Sequence, residues 1–320
     1  MSEKHKVYVT DCDHTDIEIE RQVLADTSDG LPWLKCRTDV VDLAQGADAE
    51  GLIIQYAPLT RRVIGELKHC RVMARYGVGV DTIDLKAAAE RGIIVCNVPD
   101  YGMHEVADHA LALMLRLTRK VVQANTQVKQ GTWDVRQVMP VVRHQVQTLG
   151  VISIGRIGGA LAQKAHALGM QILAYDPYAS AERLPDYVKL VSLEELLRQS
   201  DVVSIHCPLT DETRNLLNES TLRLMKPTAY LVNTSRGHIV NEAALEKMLA
   251  EKRLAGAAFD VLGIEPASAD HPLFKYENFL CTPHMAWHST EAAQELKRKA
   301  AEEVRSVLRG EAPRYQVNKM

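Results

Sequence analysis

The sequence predicts an α/β protein of two doubly wound parallel-sheet domains. Three observations carry that expectation. The first hundred residues alternate short β-branched runs with segments of helical spacing, the pattern of a parallel sheet covered on both faces. A second series of the same kind opens at Leu149. A length of 320 residues suits two domains.

In the first series KVYVT (6–10), GLIIQY (51–56), RVMARY (71–76) and GIIVCNV (92–98) read as strands. Between them 59–70 and 84–92 have helical spacing, and Gly92 supplies the second with a C-cap glycine. Pro99, just past the fourth strand, marks the handover to the next domain. The stretch 104–131 predicts a long helix, broken once, that is apolar on more than one face. Such a helix is either deeply buried or shared with another subunit. Residues 132–147 are less regular and are expected to cross the surface. In the second series strands are predicted at 149–154, 171–175, 202–206, 229–233, 256–261 and 279–281, with helices at 157–168, 192–199, 217–224 and 241–252. An amphipathic helix over 290–310 ends at Gly310. No solenoid-length repeat and no low-complexity tract is present.

Hydrophobic residues make up 46% of the chain and charged residues 25%, ordinary for a soluble globular protein. A net charge of −3 gives no basis for a nucleic-acid surface or an anionic membrane partner. The opening residues, MSEKHKVYVTDCDH, lack the apolar core and cleavage site of a secretory signal. No apolar run approaches the roughly 18 residues of a membrane span. The six cysteines, Cys12, Cys36, Cys70, Cys96, Cys207 and Cys281, include no C-x-x-C pair. Five lie within or beside apolar runs, which favours free thiols over a disulfide framework or a zinc site. No metal is expected, and a reducing cytoplasm is the expected compartment.

The stretch TLGVISIGRIGGALA (148–162) sets a glycine-rich turn between a strand and a helix, the setting of a dinucleotide-binding G-x-G-x-x-G. Gly155 and Gly158 occupy the positions where a side chain would collide with pyrophosphate or strand. Ser153 stands where the first glycine belongs, a substitution a small residue tolerates if its backbone stays in an allowed region. The helix N-terminus beyond offers unpaired N–H groups to phosphate. Asp176 ends the next strand, 23 residues after Ser153, where an acid bonds the adenosine ribose hydroxyls. A carboxylate there would repel the 2′-phosphate of NADP, and no arginine precedes Arg183, so NAD is the expected cofactor.

Three further segments sit at the C-terminal ends of predicted strands, where open α/β sheets bind ligands: LVNTSRG (231–237), AFDVLGIEP (258–266) and LCTPHMAWHS (280–289). They supply Arg236, Glu265 and His284, at spacings of 29 and 19 residues. Together with RYGVGVD (75–81) and NVPDYGMHEVADHAL (97–111), they resemble the D-isomer-specific 2-hydroxyacid dehydrogenase family. The H-x-A-W ending in Trp287 is most similar to its C-terminal-binding-protein-like subgroup. The resemblance spans nearly the whole chain. It implies two Rossmann-like domains with a cleft between them: a substrate-binding domain of 1–98 completed by 288–320, and an NAD-binding domain of 99–287.

The resemblance also implies a chemistry. Arg236 would offer its planar fork of donors to the carboxylate and carbonyl of a 2-keto acid and stabilise charge growing on the carbonyl oxygen. His284 would donate the proton in reduction and remove it in oxidation, a task suited to histidine's ordinary pKa of about 6.5. Glu265 would orient the imidazole and favour its charged form. Asp260 matches the position that meets the nicotinamide carboxamide. The backbone of Val78 and Gly79 would hold the substrate carboxylate, with Tyr76 nearby and Trp287 as a lid over the substrate side chain. Cofactor contacts fall to Arg156 and Ile157 in the turn, to the main chain of His206, Cys207 and Pro208, and to Thr213, Thr234 and Ser235. His288 begins the returning segment and ranks well behind His284 as proton donor.

Two departures from the family pattern stand out. One is Ser153. The other is Gly102-Met103-His104, where a hydroxyl-bearing residue is usual. The expected function is NAD-dependent interconversion of 2-keto acids and D-2-hydroxy acids, in a homodimer paired through the apolar helix from 104. A second expectation is a non-catalytic NAD(H)-sensing interaction protein of corepressor type. A phosphoglycerate-specific enzyme would need added cations at the substrate; Arg75 and Arg61 are candidates, but the sequence does not place them there.

Overall fold

The computed structural model describes residues 4–36 and 47–319. The chain divides into two compact units, Met1–Gly102 with Ser289–Met320, and Met103–His288. The crossings expected near Pro99 and His288 compare with 102/103 and 288/289. The second unit begins with helix α4 (Met103–Arg119), so the residues between Pro99 and Gly102 stay with the first.

In the first unit β1 (Val7–Val9), β2 (Gly51–Ile54), β3 (Val72–Arg75) and β4 (Ile94–Cys96) form one parallel sheet in the order β1-β2-β3-β4. On the far side of β1, residue Trp33 makes a parallel bridge to Val9. The winding therefore starts at β1, visits that edge and then reverses, as a doubly wound sheet does. Alternation along β2 turns Leu52 and Ile54 toward α2 (Arg61–Glu66) and α3 (Leu85–Glu90), where they join Val63, Ile64, Ala87 and Ala88 in one core. The opposite face carries α10 (Thr290–Leu308), beside α1 (Glu18–Leu24). Thr60 and Asp84 cap α2 and α3 by accepting the N–H groups of Val63 and Ala87. Gly92 and Gly310, at φ +70° and +76°, close the chain after α3 and α10.

The second unit holds seven parallel strands: β5 (Thr148–Ile152), β6 (Gln171–Tyr175), β7 (Val188–Leu190), β8 (Val202–Ile205), β9 (Tyr230–Asn233), β10 (Gly256–Phe259) and β11 (Phe279–Cys281). Their order is β11-β10-β9-β8-β5-β6-β7. The order reverses between β5 and β8, the point at which such sheets bind ligands outside their carboxyl ends. Adjacent residues of one strand feed opposite cores: Leu231 and Ala257 face one layer, Val232 and Ala258 the other. The first layer lies under α7 (Leu193–Gln199), α8 (Glu219–Leu222) and α9 (Glu242–Ala250). The second lies under α4 and α6 (Arg156–Ala167), where Ala107, Ala110, Leu113 and Met114 meet Leu161, Ala162 and Ala165.

The long helical stretch is broken once, at Lys120, whose φ of 53° separates α4 from α5 (Val121–Lys129). Residues 132–147 contain two short 3-10 turns and are mostly exposed, as expected of a surface crossing. Because every strand of this sheet is parallel, the segments that follow β5, β8, β9, β10 and β11 all leave from the same edge.

Candidate active site

Along that edge the first segment is the turn from β5 into α6. Ser153 adopts the left-handed backbone, φ 71°, that glycine takes without penalty. For any other residue this region costs roughly 1–2 kcal/mol. The serine hydroxyl donates to Asp176 Oδ2 at 3.1 Å, and the Ile154 N–H reaches the same oxygen at 3.1 Å. The Tyr178 N–H reaches Oδ1 at 2.9 Å. The turn and the strand-end acid are thus tied together by the residue that departs from the fingerprint. A Cβ on Gly158 would lie 2.1 Å from the Ser153 carbonyl oxygen, so close passage of α6 over the turn demands glycine there. A Cβ on Gly155 would meet nothing within 4 Å. Protein packing gives no reason for that glycine, whereas an approaching pyrophosphate would. Gly155 is the N-cap of α6 and contributes no side-chain cap, and the first turn, with Arg156 and Ile157, carries no acid to compete with phosphate.

Two more segments face the switch point. His206, after β8, is neutral in the folded chain because burial pushes its imidazole down to about 4. Its Nε2 pairs with the Ser204 hydroxyl at 2.8 Å, while its buried Nδ1 has no partner. Thr234 Oγ1, after β9, is likewise buried and unpartnered. Buried polar atoms without partners are rare in folded proteins and point to a missing ligand or water. Glycines that leave room, an anchored acid and these two atoms fit a dinucleotide. Cys207 is buried, its thiol pushed up to about 11 by desolvation, so it is no nucleophile. Pro208 is exposed, and its carbonyl accepts the Thr213 hydroxyl at 2.7 Å. The Thr213 side chain therefore braces its own loop.

The catalytic candidates converge at the ends of β9, β10 and β11. Asn233, fully buried, accepts the Ser235 N–H at 3.0 Å and donates to the Arg236 carbonyl at 2.9 Å, which folds the turn that carries Arg236. Ser235 Oγ donates to the Ile205 carbonyl at 2.9 Å and holds this turn to the end of β8. A Cβ on Gly237 would lie 2.0 Å from the Leu262 carbonyl carbon, so the Arg236 turn lies directly on the loop that bears Glu265. Within that loop Glu265 Oε1 accepts the Leu262 N–H at 2.9 Å, and Glu242, from α9, accepts the Gly263 N–H at 2.6 Å.

Glu265 Oε2 lies 2.6 Å from His284 Nδ1. A carboxylate only accepts, so Nδ1 carries the proton of that bond. Burial pushes the Glu265 carboxyl up. The His284 bond and charge, the Leu262 N–H and the nearby Arg236 charge outweigh it and hold the group below its ordinary value. The three residues that sequence spacing singled out are therefore electrostatically coupled.

Asp260 is 1% exposed and has a task the sequence did not reveal. It accepts the Thr282 hydroxyl and the Met285 N–H, at 3.0 Å, on Oδ1, and the Ala286 N–H at 2.8 Å on Oδ2. His109 of α4 stands 2.9 Å from the Thr282 hydroxyl. These contacts fix the segment on both sides of His284, whose own φ is 54°. The Trp287 and His288 rings meet edge to face, 5.3 Å apart.

In the first unit, the segment after β3 carries the remaining candidates. Val78 is 44% exposed, and its carbonyl accepts the Asn97 side-chain amide at 2.7 Å, which anchors the loop next to Gly79. Tyr76 points the other way. It is 1% exposed and donates its hydroxyl to buried Glu20 at 2.6 Å, a packing position of the unit's interior. The Arg75 guanidinium folds under Gly77, where a Cβ would lie 1.8 Å from it. Arg61 is paired with Glu90 on the unit's surface.

Residues 111–286, more than half the chain, match the family model of the D-isomer specific 2-hydroxyacid dehydrogenase, NAD binding domain. The chain is 41% identical over 257 residues to the D-3-phosphoglycerate dehydrogenase of Archaeoglobus fulgidus, covering 80% of this chain and 49% of that protein. It is 42% identical over 265 residues to the glyoxylate reductase of Korarchaeum cryptofilum, covering 82% of this chain and 80% of that protein. Among solved structures, D-lactate dehydrogenase from Aquifex aeolicus, complexed with NAD and lactic acid, aligns with a TM-score of 0.88 at 27% identity, over 95% of this chain and 96% of that one. The chain spans about half the length of the D-3-phosphoglycerate dehydrogenases it matches. The chain belongs to the D-isomer-specific 2-hydroxyacid dehydrogenase family.

Proposed function

We propose that this protein is an NAD-dependent oxidoreductase that interconverts 2-keto acids and D-2-hydroxy acids. The observation that carries the reading is the 2.6 Å Glu265–His284 pair, coupled to Arg236 on the same sheet edge as the dinucleotide turn. When bound, the nicotinamide supplies or accepts the hydride at the substrate's C2 carbon. Arg236 binds the carboxylate and carbonyl oxygens and stabilises negative charge as it grows on the carbonyl. His284 delivers a proton from Nε2 to that oxygen in reduction and takes it back in oxidation. Glu265 holds Nδ1–H, so the ring cannot turn away. Asp176 takes the adenosine ribose and disfavours a 2′-phosphate, hence NAD. Trp287 covers the substrate side chain.

The reading extends to assembly and compartment. The working form is a two-fold homodimer paired through α5 and the segment after it, whose exposed apolar side chains include Val122, Trp133 and Val135. Six cysteines, none in a disulfide, suit a reducing cytoplasm.

The enzyme reading is tested by following NADH absorbance with a panel of 2-keto acids that includes hydroxypyruvate, glyoxylate and bulkier aliphatic acids. Turnover with at least one is expected. His284→Ala should lower kcat roughly 10²–10⁴-fold while NADH affinity changes little. NADH binding without turnover of any acid on the panel would sink the enzyme reading, and undiminished turnover in His284→Ala would remove that residue's role.

A further inference from the structure

Ser153 holds a backbone conformation for which glycine is the better residue, so its side chain is to be judged by what it touches. It touches Asp176. The carboxylate offers about four acceptor sites, and three are filled: two on Oδ2, from the Ser153 hydroxyl and the Ile154 N–H, and one on Oδ1, from the Tyr178 N–H. The three donors together hold the carboxylate against rotation. They also leave its remaining acceptor capacity on Oδ1. With glycine at 153, one main-chain donor would remain on each oxygen, and the hold on the side chain would loosen.

We propose that Ser153 is a positioning residue for the cofactor: its hydroxyl locks Asp176 in the orientation that receives the adenosine ribose and so sets the preference for NADH over NADPH. The inference rests on the NAD-dependent reading above. The discrimination follows from the lock. A firmly held carboxylate faces the 2′-phosphate of NADPH, whereas one held by two donors yields more readily and relieves part of the repulsion. Releasing it should therefore weaken NADH binding more than NADPH binding.

The test measures NADH and NADPH affinity by fluorescence titration in Ser153→Ala and Ser153→Gly, alongside thermal melting of the unliganded chain. Both variants should bind NADH roughly 5–10-fold more weakly, while NADPH affinity shifts by less than about 2-fold. Ser153→Gly should melt no lower than the parent, because glycine relieves the backbone. That separates a lost lock from a damaged fold. In an Asp176→Ala background, adding Ser153→Ala should change NADH affinity by less than about 2-fold, since the partner is already gone. NADH affinity within about 2-fold of the parent in both single variants would overturn the proposal. So would a loss in Ser153→Ala that Ser153→Gly does not share, because backbone geometry would then be the cause. Failure of the unmodified chain to bind NADH would overturn the NAD reading itself, a different result from an NADH-binding chain indifferent to residue 153.

Discussion

His206 and Glu265 respond to their surroundings in opposite ways, and each response has a consequence for stability. Burial holds the His206 imidazole neutral down to about pH 4, well below histidine's ordinary value near 6.5. Between those limits the unfolded chain binds a proton that the folded chain refuses, so folding stability falls as pH falls through this window. The full difference is on the order of 3 kcal/mol, and about 2 kcal/mol of it is spent between pH 6.5 and 5. Glu265 is depressed, so its contribution is intact above the ordinary carboxylate range and is lost only at more acid pH. The two windows separate cleanly. Urea unfolding at about pH 7 and about pH 5 should show the parent losing roughly 2 kcal/mol more than His206→Asn on acidification. Equal losses in parent and variant would mean that His206 is solvated in the folded chain.

Loops after strands do the assembling, and Gly237 packs directly on the backbone of Leu262. Gly237→Ala would set a Cβ 2.0 Å from the Leu262 carbonyl carbon and 2.3 Å from the Gly263 nitrogen, so the two loops must part. Glu265 takes its Leu262 N–H from that backbone and would shift with it. The variant should lose about 1–3 kcal/mol of stability, the usual cost of overpacking. Its kcat/KM should fall about 100-fold, as displacements near 1 Å at a reacting centre do. Steady-state kinetics and melting check both, and parent-like kcat/KM would dismiss the loop contact as a positioning device. This geometry also marks where sequence reading ends. The strands of both series were legible, because buried parallel strands announce themselves as short β-branched runs. Strand β7 was not: it is an edge strand with no fully buried residue and an exposed lysine at its centre. Nor was α1, seven residues long and without a side-chain N-cap. Arg236, Glu265 and His284 stand out in the sequence because each lies in a segment that leaves the end of a strand. The supports of Asn233, Glu242, Thr282 and His109 were not, since each acts through a tertiary contact that no local pattern encodes. Ser153 lies between these cases. Its position was legible, but its grip on a residue 23 positions away was not.

At the scale of the whole molecule, one helix has no interior to belong to. Helix α4 buries its apolar face against α6, yet α5, which follows the break at Lys120, buries none of its nine residues despite carrying Val121, Val122 and Val128. The chain after it continues the theme: Trp133 is 89% exposed and Val135 72%. A continuous run of exposed large apolar side chains is rare on a monomer and typical of an interface. A second copy of the same chain is the economical partner. An isologous two-fold contact pairs one patch with itself, and aromatic residues such as Trp133 commonly anchor such contacts. A stable pairing needs about 800 Å² from each partner. Sedimentation of the unmodified protein at micromolar concentration should therefore report twice the 35.6 kDa chain mass. The double variant Trp133→Asp/Val135→Asp should sediment at the single-chain mass with its melting transition retained, because neither side chain supports its own unit's core. A parent that sediments as a single chain would overturn the dimer, and so would a double variant that still sediments as two, since two buried carboxylates at the centre of an apolar contact cannot be tolerated without partners.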